Sequence, residues 1–422
     1  MSVPGVNVVG AGLAGSLLAL LLAKRGLDVS VYERRADPRA ANAERGRSIN
    51  LALAARGLRG LALAGVQDRV MPLAIPMRGR MVHEHDGTTE LQPYGVRPDE
   101  VIYSVSRADL NRVLIEAAAA LPHVAFRFGQ VCLGLAPGKT VPELRDEASG
   151  RIYHAAELPT IATDGAGSAL RDALQAREIA TVREEPLEHD YKELTIPSRD
   201  GRHVIEPNAL HIWPRGGFML IALPNLDGSF TATMFLARHG ADSFEQLNNP
   251  AAVEEFFARE FPSARALMPD LVGEFFAHPQ GSLGTVYTLG WHLNGDLLLL
   301  GDAAHAIVPF HGQGMNCAFE DCAELLRLMD EHHGWPGLFE AFEQQRRPNT
   351  DAIAHMALEN YVEMRANVLD QDYRRRKQEA EARERQDPGA IPRYSMVMFH
   401  PEIGYAEALR RSGGLPPERP PA

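Results

Sequence analysis

Residues Val6 to Glu33, VNVVGAGLAGSLLALLLAKRGLDVSVYE, constrain the fold more than any other stretch of the chain. Val6, Val8 and Val9 make a short apolar run suited to a strand buried in a parallel sheet. Gly10, Gly12 and Gly15 follow at G-x-G-x-x-G spacing, and the Leu-rich run Leu17 to Leu22 continues as a helix. Lys24 and Arg25 fall in its last turn, with Gly26 as the glycine just beyond the helix. A second strand, Val29 to Tyr32, ends on Glu33. Strand, glycines, helix, strand and acid stand in the order that a dinucleotide-binding βαβ unit requires. Gly10 allows the tight turn, Gly12 lets a pyrophosphate approach the backbone, and Gly15 lets helix and strand pack closely. Leu13 and Ala14 lie at the helix start, where unpaired N–H groups and a partial positive charge meet the phosphates. Glu33 would accept hydrogen bonds from an adenosine ribose.

Bulk composition narrows the partners. A chain of 422 residues holds two or three domains, and 45% hydrophobic with 23% charged content is ordinary for a globular protein. The net charge of −12 argues against a nucleic-acid surface, which needs clustered Lys and Arg. Cys132, Cys317 and Cys322 form no C-x-x-C pair, and this sparse odd count fits a reducing cytoplasm better than a disulfide framework. No signal peptide is read before the first strand, and no later run approaches about 18 consecutive apolar residues, so a cytoplasmic protein without a membrane span is expected.

After Glu33 comes a polar segment, Arg34 to Arg47, and then SINLALAARGLRGLALAGV, where Leu51, Ala54, Ala55 and Leu58 at helical spacing predict a helix ending near Gly65. MRGRMVHEHDGTTELQPYG alternates and turns at Asp86-Gly87, the mark of a hairpin excursion. Ser106 is expected to cap a helix through Ala119, with Asp109 at its third position. Val124–Phe128 reads as a strand, residues 181–236 as mainly β with a loop at Asn225–Gly228, and Ser243–Ala277 as helical and amphipathic, lying against that second domain. Pro336 to about Arg385 reads as helical and charged, and the tail GGLPPERPPA as disordered. The expected fold is α/β: a Rossmann-like cofactor domain (1–72, 99–180, 283–335), a β-sheet substrate domain (73–98, 181–282) and a helical C-terminal section (336–422).

Two further stretches bear on the cofactor. ATDGAGSALR puts Asp164 and Gly165 at a strand end, and GDAAHAIVPFHGQGMN puts Asp302 after a Leu run, where a carboxylate can accept hydrogen bonds from a polyol. Gly312 and Gly314 then open a helix. Taken singly, each stretch also reads as a plain turn before a helix. Together with the glycine motif they resemble the class A flavin-dependent aromatic hydroxylases, and the resemblance implies bound FAD, with Asp302 on the ribityl hydroxyls and Gly314, Met315 and Asn316 at the flavin pyrimidine edge. RGRSINLAL, MRGRMVH, QPYG, YSVSRADLN, PFHGQGMNCAFED, RRPNTDAIAHMALENYVEMR and PRYSMV narrow the resemblance to the kynurenine 3-monooxygenases over most of the chain.

That resemblance implies NADPH as a transient co-substrate, O₂, and hydroxylation of L-kynurenine to 3-hydroxy-L-kynurenine through a flavin C4a-hydroperoxide, within tryptophan catabolism and the supply of quinolinate or NAD. It places Arg80 on the substrate carboxylate with Tyr94 beside it, and Asn360 and Tyr394 near the amino-acid end. Phe235, Pro309 and Phe310 become apolar walls. Arg107, Ala52, Cys132 and the segment Tyr32, Glu33, Arg34 match FAD contacts. Read without the family, Arg80 is a solvated hairpin charge, Asn360 an exposed helix residue and Tyr394 a packed aromatic. His305 and His311 flank the flavin loop, but with no carboxylate or second histidine at ligand spacing neither is given a metal or acid–base role, and no metal is expected. Eukaryotic members continue into a membrane-anchoring segment, whereas this chain ends in a Pro-rich polar stretch and resembles a soluble bacterial type, monomer or homodimer. The alternatives are a hydroxylase for a phenol or quinone precursor, a non-catalytic flavoprotein, and an NAD-dependent dehydrogenase.

Overall fold

A computed structural model describes residues 5–40, 50–332, 334–365, 370–387 and 389–414. The Arg45–Ile49 part of the RGRSINLAL match, most of the polar segment after Arg34, and the tail beyond Gly414 lie outside the described residues.

The opening motif forms the centre of a six-stranded sheet. Its order runs His292–Leu293, Leu297–Leu299, Thr160–Ala162, Gly5–Val9, Asp28–Glu33, Val124–Phe128, parallel except for the first pair. The strands are apolar because the sheet is covered: Leu13–Lys24 packs against Arg107–Ala119 and Gly314–Glu331 in one helical layer, and the strand Asp28–Glu33 also meets the strand Gln130–Leu135. Leu13–Lys24 is buried along nearly its whole length, which explains why its sequence is Leu-rich rather than amphipathic. Ser106 caps Arg107–Ala119 as expected, its hydroxyl accepting from the Asp109 N–H at 3.3 Å.

A second, seven-stranded sheet is ordered Gln280–Leu289, Thr181–Ile196, Phe230–Ala237, Met219–Pro224, Leu210–Pro214, Gly79–His83, Thr89–Pro93. All its pairs are antiparallel except Leu210–Pro214 with Gly79–His83, the join that carries the hairpin turning at Gly87 into this sheet. One face packs on helices through Trp213, Phe230, Phe257 and Phe261. The other faces Trp335–Arg365, the 31-residue helix that runs past both sheets.

Two expectations need correction. Asn50–Leu53 is a strand paired with Ile102–Ser106, and the helix begins only at Ala55, so Leu51 does not belong to it. Ser243–Ala277 is three helices, Pro250–Glu260, Pro262–Arg265 and Leu271–Ala277. Pro262 and Pro269 lack the N–H that would continue the ladder. Residues 130–154 form a three-stranded antiparallel sheet that the sequence reading left unassigned. Among the described residues, no helix is long and apolar enough to cross a membrane.

Candidate active site

At the nucleotide end, the three glycines divide their work as their spacing implies. A Cβ on Gly10, at φ +101°, would lie 2.5 Å from the Thr163 carbonyl oxygen, and one on Gly15 would lie 1.9 Å from the Gly10 oxygen. A Cβ on Gly12 would meet no described residue within 4 Å, so among the described residues the helix start stands open. The N–H groups of Leu13, Ala14 and Gly15 precede the first bond of that turn, Ser16 N–H to the Gly12 oxygen at 2.9 Å. Glu33 is buried, and its two oxygens accept from the Ala11 N–H at 2.7 Å and the Arg35 N–H at 2.8 Å. A carboxylate keeps further lone pairs for a ligand's hydroxyls. Tyr32 is buried, while Arg34 and Arg107 are exposed. Cys132 sits in a strand with its thiol pushed up to about 12 by burial, so it stays a thiol.

Asp164 is the clearest sign of a missing partner. Both carboxylate oxygens are buried and neither makes a hydrogen bond among the described residues. Burial raises its carboxyl, opposed by Ser168 and the backbone of the following helix. Such an orphaned group is costly unless a ligand completes it. Asp302 stands half-exposed at the first position of a short helix after Gly301. Further along, Gly314, Met315 and Asn316 open Gly314–Glu331, where backbone N–H groups precede the bond from Cys317 to the Gln313 oxygen at 2.8 Å. The Asn316 side chain is already used: its amide donates to the oxygens of Ala52 at 2.8 Å and Gly312 at 2.7 Å, and its oxygen accepts from the Ala54 N–H. Any ligand contact there falls to the backbone. The open face at Gly12, the orphaned Asp164 and the unpaired N–H groups at Gly314 fit an extended, anionic dinucleotide.

Where the hairpin meets the long helix, Arg80 is 5% exposed, which overturns its reading as a solvated charge. Its guanidinium donates to Glu363 Oε1 at 2.9 Å and Asn360 Oδ1 at 3.3 Å, and lies 5.1 Å from the centre of the Tyr394 ring. Asn360 is likewise buried and donates to the Phe310 oxygen at 2.7 Å. Tyr394 stacks between Tyr94, at 5.7 Å between ring centres, and His311, at 5.3 Å. Burial raises both phenols, Tyr394 to about 12, so both can donate to an anion at neutral pH. Burial pushes His311 down to about 4, leaving it neutral. Arg80, Tyr94, Glu363 and Tyr394 line a cavity of about 90 Å³. On the flavin-loop side, Phe310 stacks on Tyr361 at 4.0 Å and meets Phe235 edge-on at 4.9 Å, while Pro309 is exposed.

Comparison with known proteins places this arrangement. Residues 4–357 match the family described as FAD binding domain. The chain is 49% identical to kynurenine 3-monooxygenase from Stenotrophomonas maltophilia over 96% of its own length and 90% of that protein. It is 48% identical to the enzyme of the same name from Myxococcus xanthus, over 93% and 85% respectively. The chain belongs to the kynurenine 3-monooxygenase family. Its cofactor is FAD. The fold is also that of 2-methyl-3-hydroxypyridine-5-carboxylic acid oxygenase, at TM-score 0.70 and 20% identity, covering 87% of this chain and 94% of that one.

This member of the kynurenine 3-monooxygenase family also contains residues that sequence reasoning missed. Glu363 follows Asn360 by one helical turn, so i,i+3 spacing could have flagged it. Tyr361 joins the apolar wall. Spacing alone did not reveal that Asp321 lies 2.7 Å from His305, with Cys317 close enough that all three ligand atoms fall within 4.8 Å. The Arg346 guanidinium fills that cluster, donating to Asp321 at 2.7 Å and to the Cys317 sulfur at 3.5 Å. A cation already compensates the carboxylate there.

Proposed function

We propose that this chain is an FAD-dependent monooxygenase that consumes NADPH and O₂ and hydroxylates L-kynurenine beside its ring amine, giving 3-hydroxy-L-kynurenine and water. One observation carries the substrate assignment. A buried arginine and two neutral phenols line a cavity, and Asn360 ties that arginine to the Phe310 oxygen of the aromatic wall just ahead of the flavin-edge helix. A guanidinium grips a carboxylate through paired charge-assisted hydrogen bonds, and burial strengthens them. Glu363 must yield part of Arg80 when the substrate arrives; its carboxylate then stands beside the amino-acid end.

FAD, when bound, supplies the redox and oxygen chemistry. The protein supplies placement. Gly12, Leu13, Ala14 and Gly15 would hold the pyrophosphate, Glu33 the adenosine ribose and Asp302 the ribityl chain. Backbone N–H groups at Gly314–Asn316 would favour negative charge at the flavin edge. Phe235, Phe310 and Tyr361 exclude water from the ring. We take residues 1–72, 99–180 and 283–335 as the cofactor domain and 73–98 with 181–282 as the substrate domain. A cytoplasmic location suits the three free cysteines.

Turnover decides it. The purified holoenzyme should oxidise NADPH faster with L-kynurenine than with a phenolic acid, and the product should gain one oxygen by mass. Faster hydroxylation of the phenolic acid would reassign the substrate, and yellow protein with no stimulated oxidation would leave a non-catalytic flavoprotein.

A further inference from the structure

Asp321 lies on the flavin-edge helix, fully buried, and binds the loop that carries Asp302. One of its oxygens accepts from the Gly301 N–H at 3.2 Å and from His305 Nε2 at 2.7 Å, so it holds both ends of the Gly301–His305 turn. The other oxygen accepts from Arg346 Nε at 2.7 Å. Gly301 has φ +63°, which favours glycine, and a Cβ there would lie 3.2 Å from Ala318 on the same helix, so the turn runs close against the helix that carries Asp321. Burial alone would raise the Asp321 carboxyl, but His305 and Arg346 hold it below its usual range. A carboxylate suits this place better than an amide, since every neighbour at it is a donor.

We propose that Asp321 is a positioning residue, clamping the Gly301–Asp302 turn so that the Asp302 carboxylate is aimed along the cofactor cleft at the ribityl chain. The inference rests on the FAD reading of Asp302. It assigns to a residue on the flavin-edge helix control over a contact made by a different segment.

A double-mutant cycle on FAD affinity tests it, with protein reconstituted from FAD-stripped enzyme and binding read by quenching of flavin fluorescence. Asp321→Asn and Asp302→Ala should each weaken FAD by about tenfold or more, and the double variant should be no more than about threefold weaker than Asp302→Ala alone. Losses that multiply, or an Asp321→Asn protein that binds FAD like wild type, overturn the proposal. An Asp302→Ala protein with unchanged affinity instead sinks the ribityl role of Asp302 itself. If Asp321→Asn does not fold, His305→Gln breaks the same clamp from the loop side and should show the same non-additivity with Asp302→Ala; its failure to do so counts equally against the proposal.

Discussion

Gly12 and Gly15 stand three residues apart in one motif, yet their replacement by alanine should fail in opposite ways. At Gly12, φ is −68°, an ordinary value for any residue, and an added Cβ touches no atom of the described residues within 4 Å. Alanine is a poorer helix cap than glycine but restricts the unfolded chain, and these effects, each about 0.5–1 kcal/mol, roughly offset. The FAD-free Gly12→Ala protein should therefore melt near wild type. The methyl occupies the space a pyrophosphate needs, removing one or more hydrogen bonds to a charged group. At about 1.5–3 kcal/mol each, that weakens FAD roughly 10- to 150-fold. At Gly15 the Cβ would fall 1.9 Å from the Gly10 oxygen and 2.5 Å from Thr163 Oγ1. The first of these is backbone and cannot swing aside, so overpacking of about 1–3 kcal/mol or more must appear in the protein without cofactor. Differential scanning calorimetry of the FAD-free variants and a flavin-binding titration separate the two outcomes. Equal destabilisation of both variants, or wild-type FAD affinity in Gly12→Ala, would refute the division of roles.

Three further outcomes follow from the geometry. His83 donates to His211 at 2.7 Å inside the second sheet, and burial lowers them to about 3 and about 4, helped at His83 by the nearby His211 and Arg215 and opposed at His211 by Glu206. Each binds fewer protons folded than unfolded, so stability is full above pH 6.5 and falls as pH drops toward those values. The loss at pH 5 should be about 2 kcal/mol per histidine, and a urea titration of a His83→Gln variant should show roughly half the pH dependence. Tyr94→Phe should weaken kynurenine by about fivefold, the worth of one hydrogen bond, with the turnover number nearly unchanged in steady-state assays. Phe310→Ala opens the wall against Tyr361 and Phe235 and should raise the fraction of NADPH oxidised without product, measured as peroxide released per NADPH.

The parts legible from sequence are those whose signal is local. The βαβ unit announces itself because glycine spacing, strand and helix all fall within 28 residues, Val6 to Glu33. Ser106 and the Asp86-Gly87 turn are similarly short-range. Asn50–Leu53 was not legible because four apolar-rich residues suit either period, and its partner strand lies some fifty residues on. The helix breaks in Ser243–Ala277 follow from Pro262 and Pro269, which lack the N–H that would continue a helix through them. In the site, Arg80 and Asn360 look like surface residues until the long helix crosses the hairpin and buries both. Asp321 ends the PFHGQGMNCAFED stretch, but nothing local marks its role: its partners Gly301, His305 and Arg346 meet only because two helices and a turn converge.

The claim beneath all of this is that Arg80 anchors an amino acid next to the flavin. Titrating L-kynurenine into holoenzyme while following the flavin absorption band measures that anchoring without turnover. Removing one partner of a buried, hydrogen-bonded charge pair costs about 2 kcal/mol or more, so Arg80→Ala should raise the kynurenine Kd roughly 30-fold or more while the flavin stays bound. An unchanged Kd in a fully flavinylated Arg80→Ala enzyme would contradict the account.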